Sequence, residues 1–277
     1  MASSGIGDYE GMLRELHAPV ARIFPVLEGK VAIVTGAAQG MGKATSLLFA
    51  KSGASVVLAD INEAGAQKVA EEIEQVGGRA HVVATDISVS SDVQRLVEET
   101  VATFGKLDCA VNNAALTPDG APFSEFDEAY FNRLISINVT GTALCNKYEI
   151  AQLLKQGTGG SIVNISSVVA YHAHANMVAY TTAKHAIVGI TKQAAAENGH
   201  ANIRVNTVAP GAILTEMSAK ALVTMGMDHE AYARQVSMLG RWAAPTEVAQ
   251  ASLWLCSDAS SYVTATLLPV DAGSHTK

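Results

Sequence analysis

Seven parallel strands in one doubly wound α/β sheet, with helices on both faces, is the fold class that this chain of 277 residues predicts. Three observations carry that prediction. Short β-branched runs alternate with longer amphipathic stretches from residue 29 to residue 277. The runs are continuously apolar and not alternating, as strands covered on both faces are. The stretches between them are too long for hairpin turns, so successive strands pair in parallel through right-handed crossovers.

The first strand is VAIVTG at 31–36, followed by a glycine-rich turn and a helical pattern at 41–52. SVVLAD at 55–60 and HVVAT at 81–85 form the next strands, with a helix over 62–76 between them and another over 90–104 after them. LDCAVNNA at 107–114 precedes a long helical pattern at roughly 127–156. SIVNISS at 161–167 leads to a helix over 178–198, and IRVNTVAP at 203–210 leads, after a variable stretch, to a helix over 245–257. ATLLPVD at 265–271 closes the sheet. In such sheets ligands bind outside the carboxyl ends of the strands, so chemistry is expected there.

Composition limits the partners. With 49% hydrophobic and 16% charged residues the chain can bury a large core, and no apolar run is long enough for a membrane span. The net charge of −7 comes without a basic stripe, which argues against nucleic acid. Cys109, Cys145 and Cys256 are scattered and apolar in setting, so they read as buried free thiols of a reducing compartment, the cytoplasm. Residues 1–28 read as an N-terminal extension to the domain at 29–277, with Met12, Leu13, Leu16 and Val20 at helical spacing to dock on the body. Asp8 and Glu10 oppose a secretory signal there.

The turn after the first strand reads Thr35-Gly36-Ala37-Ala38-Gln39-Gly40-Met41-Gly42. Its glycines allow a tight turn and close approach of backbone to a phosphate at a helix N-terminus. Ala37 and Ala44 stand where a triphosphate-binding loop needs glycine and a hydroxyl, so that reading fails. Asp60 ends the second strand, where a carboxylate can bond both hydroxyls of an adenosine ribose and repel a 2′-phosphate. No Arg or Lys occurs at 37–41 or at 61–62, so the cofactor expected is NAD, not NADP.

Tyr180 and Lys184, four residues apart, lie on one face of a helix. A neighbouring ammonium favours the phenolate and makes the phenol a usable acid and base. Ser166 and Ser167 end the fifth strand, at the same sheet edge, and offer a hydroxyl to a substrate oxygen. Asn138 sits in an apolar helical run, where Asn is a poor helix former. It is either a kink bonded to its own backbone or the holder of an ordered water near Lys184.

These residues, together with Asp86-Ile87, Asn112-Asn113-Ala114 and Pro210-Gly211, make residues 29–273 resemble a classical short-chain dehydrogenase/reductase, a single Rossmann-type domain. The resemblance implies Tyr180 as acid/base, Lys184 lowering its pKa and binding the nicotinamide ribose, Ser167 stabilising the substrate oxygen and Asn138 positioning a water. It implies a cofactor surface of Gly36, Gln39, Gly40, Met41, Gly42, Asp60, Ile61, Asp86, Ile87, Asn113, Ala114, Pro210, Gly211, Ile213 and Thr215, besides Tyr180 and Lys184. It also implies a homotetramer built through the helices at 127–156 and 178–198, whose apolar residues spread beyond one stripe. Two departures are local: Ala115 replaces the usual glycine after the fourth strand, and Asp271-Ala272-Gly273 replaces Asp-Gly-Gly.

The activity expected is interconversion of a small-molecule secondary alcohol and its ketone, hydrophobic or cyclic. Leu116, Val169, Met177 and Met217 are the substrate-pocket residues, and Leu222, Val223, Met225 and Met227 extend that apolar surface. A sensor that binds NAD(H) without turnover is the alternative, and the intact Tyr, Lys and Ser set discriminates against it. Dehydration or epimerisation would suit a longer chain with a separate substrate lobe. His172 and His174 border the pocket without a third ligand, so they read as solvated and no metal site is expected.

Overall fold

In the computed structural model, which describes residues 26–216, 218–219 and 228–277, every one of the seven β-branched runs is a strand. They are β1 (Val31–Thr35), β2 (Ser55–Asp60), β3 (Arg79–Ala84), β4 (Cys109–Asn112), β5 (Gly160–Ile165), β6 (Ile203–Pro210) and β7 (Leu267–Val270). All pairs are parallel, in the order β3-β2-β1-β4-β5-β6-β7. Register is fixed by one-to-one pairing: Val34 stands beside Leu58 on one side and Val111 on the other, and Asn112 stands beside Asn164.

The helices between the strands are α1 (Gly40–Lys51), α2 (Glu63–Gln75), α3 (Ser90–Phe104), α4 (Glu128–Ile135), α5 (Thr142–Gln156), α6 (Val178–Asn198), α7 (His229–Val236) and α8 (Pro245–Cys256). Alternate residues of β1 show why its run is continuously apolar. Ala32 and Val34 pack with Phe49 of α1, Ile73 of α2 and Val248 of α8, whereas Ile33 packs with Leu96 of α3, Leu153 of α5 and Ala194 of α6. Both faces of the sheet are therefore core. The three cysteines are buried and free.

One element differs from its expected form. The run at 127–156 is not one helix: α4 and α5 are separated by a π-helical turn, Ser136–Gly141, with Asn138 inside it. A π turn inserts one residue into the helical ladder and re-aims the side chains around it. At the other boundary the chain is already anchored at Leu27, which is fully buried and whose amide donates to Ser52 O at 3.0 Å. The helical spacing expected at Met12, Leu13, Leu16 and Val20 lies outside the described residues, as do Met217, Leu222, Val223, Met225 and Met227.

From β1 the chain moves outward to β2 and β3, then returns to start β4 on the opposite side of β1. The crevice at this reversal, beyond the carboxyl ends of β1 and β4, is where a doubly wound sheet opens.

Candidate active site

A cleft of about 400 Å³ occupies that crevice. Its first wall is the turn after β1. Gly36 adopts a φ of +67°, and a Cβ there would lie 2.8 Å from Asn113 Nδ2 and 2.9 Å from Ala114 Cα, so only glycine fits. Gly42 is constrained by the same amide, 2.7 Å from where its Cβ would stand. Asn113 earns this proximity by donating from Nδ2 to Thr35 O (3.0 Å) and Gly36 O (3.2 Å), while Thr35 Oγ1 accepts from the amides of Asn113 and Ala114. The ends of β1 and β4 are thus knitted together at the cleft floor.

α1 begins at Gly40, and Gln39 before it makes no side-chain cap, so the first N–H groups of the helix have no capping side chain. Such a terminus attracts an anion. Asp60 is held in place by its own oxygens: Oδ2 accepts from Ala38 N at 2.9 Å and Oδ1 from Asn62 N at 2.8 Å. The glycine cradle, the uncapped helix end and this carboxylate at the edge of β2 together fit a dinucleotide's diphosphate and ribose.

On the opposite side, α6 brings Tyr180 and Lys184 to the cleft. Lys184 is buried, donates from Nζ to Ile165 O at 2.9 Å, and lies 5.3 Å from the centre of the Tyr180 ring. Burial pushes the ammonium down to about 8. Burial also pushes the Tyr180 phenol up to about 12, and the Ser167 hydroxyl within hydrogen-bonding reach works against that rise. The lowering of the phenol expected from Lys184 is therefore not what the protein alone provides: burial raises the phenol and only the Ser167 hydroxyl opposes the rise. Ser166, the other hydroxyl at this edge, is committed to Lys184 O at 2.7 Å, which leaves Ser167 as the one beside the phenol.

Of the residues expected at the site, Gly36, Gln39, Gly40, Met41, Asp60, Ile61, Asp86, Ile87, Asn113, Ala114, Leu116, Tyr180, Lys184 and Thr215 line the cleft. Gly42, Asn138, Ser167, Val169, Met177, Pro210, Gly211 and Ile213 are not among its lining residues. Gly211 is pressed against the end of the sheet, where a Cβ would meet Asp271 Cα at 2.7 Å, and Ile213 bridges to Ala243. Asn138 is fully buried and its amide serves the loop after β4: Oδ1 accepts from Leu116 N at 2.8 Å and Nδ2 donates to Leu116 O at 3.4 Å. It is not bonded to its own backbone turn through that amide. Met217 lies outside the described residues.

The cleft also contains residues beyond those expected to hold cofactor or substrate. Asn62, Thr85, Ile137 and Ile165 line it, Ala115 accepts its methyl group there without a left-handed backbone, and Arg133 of α4 adds an exposed cation. Arg133 sits on a helix face that reads as ordinary solvated surface, so only the fold brings it to the cleft. His172 and His174 place their Nε2 atoms 3.1 Å apart in the loop after Ser167.

A protein-family model described as enoyl-(acyl carrier protein) reductase matches residues 36–275. The short chain dehydrogenase/reductase astE of Aspergillus oryzae is 46% identical over 248 residues, which cover 89% of this chain and 95% of that protein. The 2,5-dichloro-2,5-cyclohexadiene-1,4-diol dehydrogenase of Sphingobium indicum is 45% identical over 251 residues, 89% of this chain and 97% of its own. Among solved structures, levodione reductase superposes with a TM-score of 0.86 at 30% identity, covering 90% of this chain and 99% of that one.

Proposed function

Because the chain belongs to the classical short-chain dehydrogenase/reductase family of oxidoreductases, we propose that it is an NAD(H)-dependent enzyme interconverting a hydrophobic, cyclic secondary alcohol and its ketone. The observation that carries this reading is the meeting of Tyr180 and Lys184, with Ser167 within hydrogen-bonding reach of the phenol, in a cleft that also holds the glycine turn and Asp60.

The nicotinamide cofactor supplies the chemistry that the side chains lack, acceptance or release of a hydride. Everything else falls to this chain. Ser167 donates to the substrate oxygen. Tyr180 passes a proton to that oxygen in reduction and takes it in oxidation. A phenol held near 12 is protonated at neutral pH, which is the form that donates. Lys184, fixed by Ile165 O, keeps its remaining N–H groups for the cofactor's ribose and, when charged, favours the phenolate that oxidation needs. Asn138 holds Leu116, and through it the wall against which the substrate rests. Oxidation should therefore accelerate as pH rises above neutrality, because the phenolate fraction grows, while reduction should hold because the phenol stays protonated well below 12, and Tyr180→Phe should abolish both.

Asp60 supports NAD over NADP, since its two oxygens are anchored at the ribose end and no Lys or Arg follows at 61–62 to receive a 2′-phosphate. A carboxylate so placed disfavours NADP by about 1–4 kcal/mol. The test is kcat/KM with each cofactor across a panel of cyclic and aryl secondary alcohols, glucose and acetoacetyl thioesters. Equal efficiency with NAD and NADP overturns the role of Asp60. A tenfold preference for glucose or the thioesters overturns the hydrophobic substrate. Assembly as a homotetramer in the cytoplasm completes the proposal. The buried free thiols are in keeping with a reducing compartment, and among the described residues no helix is long and apolar enough to cross a membrane.

A further inference from the structure

Helix α6 carries Tyr180 in its first turn, yet it begins without a cap of its own. Met177, at the N-cap position, has no group to accept from the N–H groups of Ala179 and Tyr180. Elsewhere local side chains do this: Asp127 accepts from Ala129 and Tyr130 at the start of α4, and Asp228 accepts from Ala231 at the start of α7. At α6 the acceptor comes from about sixty residues away. Asp119, in the loop after β4, receives the amide of Ala179 on Oδ2 at 2.9 Å and the amide of Tyr180 on Oδ1 at 3.0 Å.

That loop is also a wall of the cleft, through Ala115 and Leu116. It is fastened at two further points: Leu116 to Asn138, and Thr117 O to the Tyr130 hydroxyl at 2.8 Å. Asn138 and Tyr130 belong to the helical segment that precedes α5, whereas of these three only Asp119 is hydrogen-bonded to the helix that bears the phenol; Leu116 and Tyr130 meet that helix through apolar packing on Ala179 and Ala183. We propose that Asp119 is a positioning residue for the reaction: it ties the Ala115–Leu116 wall to the first turn of α6, so that a substrate resting on the wall meets the Tyr180 hydroxyl at a fixed distance. The inference rests on Tyr180 as the acid/base. It differs from simple capping, which would stabilise α6 without regard to where the acceptor comes from.

The two can be separated by giving α6 a local cap. Asp119→Ala removes the tie and the cap; Met177→Ser supplies a hydroxyl at the N-cap position; the double variant has the cap without the tie. Hydrogen exchange in peptides 113–120 and 178–184, the Kd for NADH by fluorescence, and kcat and KM for a cyclic alcohol are read for all three, with Tyr180→Phe alongside. Asp119→Ala is expected to lower kcat/KM at least tenfold, to speed exchange in both peptides and to leave the NADH Kd within twofold. Compared with Met177→Ser alone, the double variant is expected to recover slow exchange at 178–184 only and to keep the tenfold loss. If Met177→Ser cancels that loss, Asp119 is a helix cap and the proposal is overturned. Unchanged exchange at 113–120 in Asp119→Ala also overturns it. Asp119→Asn, of equal size with one acceptor oxygen, is expected to lose part of both. If Asp119→Ala does not fold, wild-type exchange and kcat/KM in Asp119→Asn overturn the proposal. Full activity in Tyr180→Phe would instead sink the acid/base reading, and the exchange data would still report whether the tie exists.

Discussion

Glu149 of α5 is 1% exposed and faces the end of β4. Asn112 Nδ2 donates to its Oε2 at 2.9 Å, while Glu149 Oε1 and Asn112 Oδ1 are both buried acceptors without a donor. An ionised carboxylate leaves that pair unsatisfied, and a protonated one adds a donor. Burial pushes the carboxyl from its ordinary 4.5 up to about 7. The native state then binds more protons than the unfolded chain between those values, so stability falls as pH rises from about 4.5 to about 7 and stays lowered above. Glu149→Gln should remove this loss, raising stability at pH 8 by on the order of 1–3 kcal/mol. Denaturant titrations at pH 5 and pH 8 check it, and an unchanged difference between the two would assign the titration to another group. A second residue carries backbone strain. Ala272 has a φ of +52°, where a Cβ costs about 1–2 kcal/mol, partly offset by the greater freedom of unfolded glycine. Ala272→Gly should raise stability by about 0.5–1 kcal/mol, seen as a higher Tm.

At the scale of elements, the π turn Ser136–Gly141 matters most. It buries Asn138 against Leu116 and seats Gly141 on Ile87, a residue of the cleft wall: a Cβ at 141 would stand 2.8 Å from Ile87 Cδ1 and 3.1 Å from Ile87 O. The backbone oxygen cannot be moved by a rotamer change, so Gly141→Ala must shift the turn after β3 that carries Asp86 and Ile87. NADH affinity should fall roughly tenfold, about 1.4 kcal/mol, with kcat less affected. Fluorescence titration measures this, and an unchanged Kd would show that the turn yields without disturbing the wall.

For the whole molecule, the helices proposed as subunit contacts have two kinds of apolar residue. Ile187 and Ala194 of α6 are buried within the subunit, so they give no argument for assembly. Ile135, Val139, Leu144, Ile150, Val188 and Ile190 are only half-buried, and Trp254, Leu239 and Met238 are exposed elsewhere. A homotetramer should cover part of this surface. Light scattering at micromolar concentration is expected to give four times 28.8 kDa, and a species near 28.8 kDa would overturn it.

The strands, most helix limits and the glycine turn were legible in the sequence because each rests on local physics. A strand covered on both faces must be apolar at every position, and a turn that admits no Cβ must spell Gly at 36 and 42. Tyr180 and Lys184 were legible for the same reason, since four residues of helix bring them to one face whatever surrounds them. The π turn left only Asn138 in an apolar run as its mark, because its periodicity differs from an α-helix by one residue within thirty. Which of Ser166 and Ser167 stands free was decided by Lys184 O, eighteen residues on from Ser166. Arg133 in the cleft, Glu149 on Asn112 and Asp119 on α6 all join segments far apart in the chain, and such partners are chosen by how the layers pack, not by any spacing a sequence displays. The ionisation of Tyr180 belongs with them, because burial sets its direction and burial is a property of the folded chain alone.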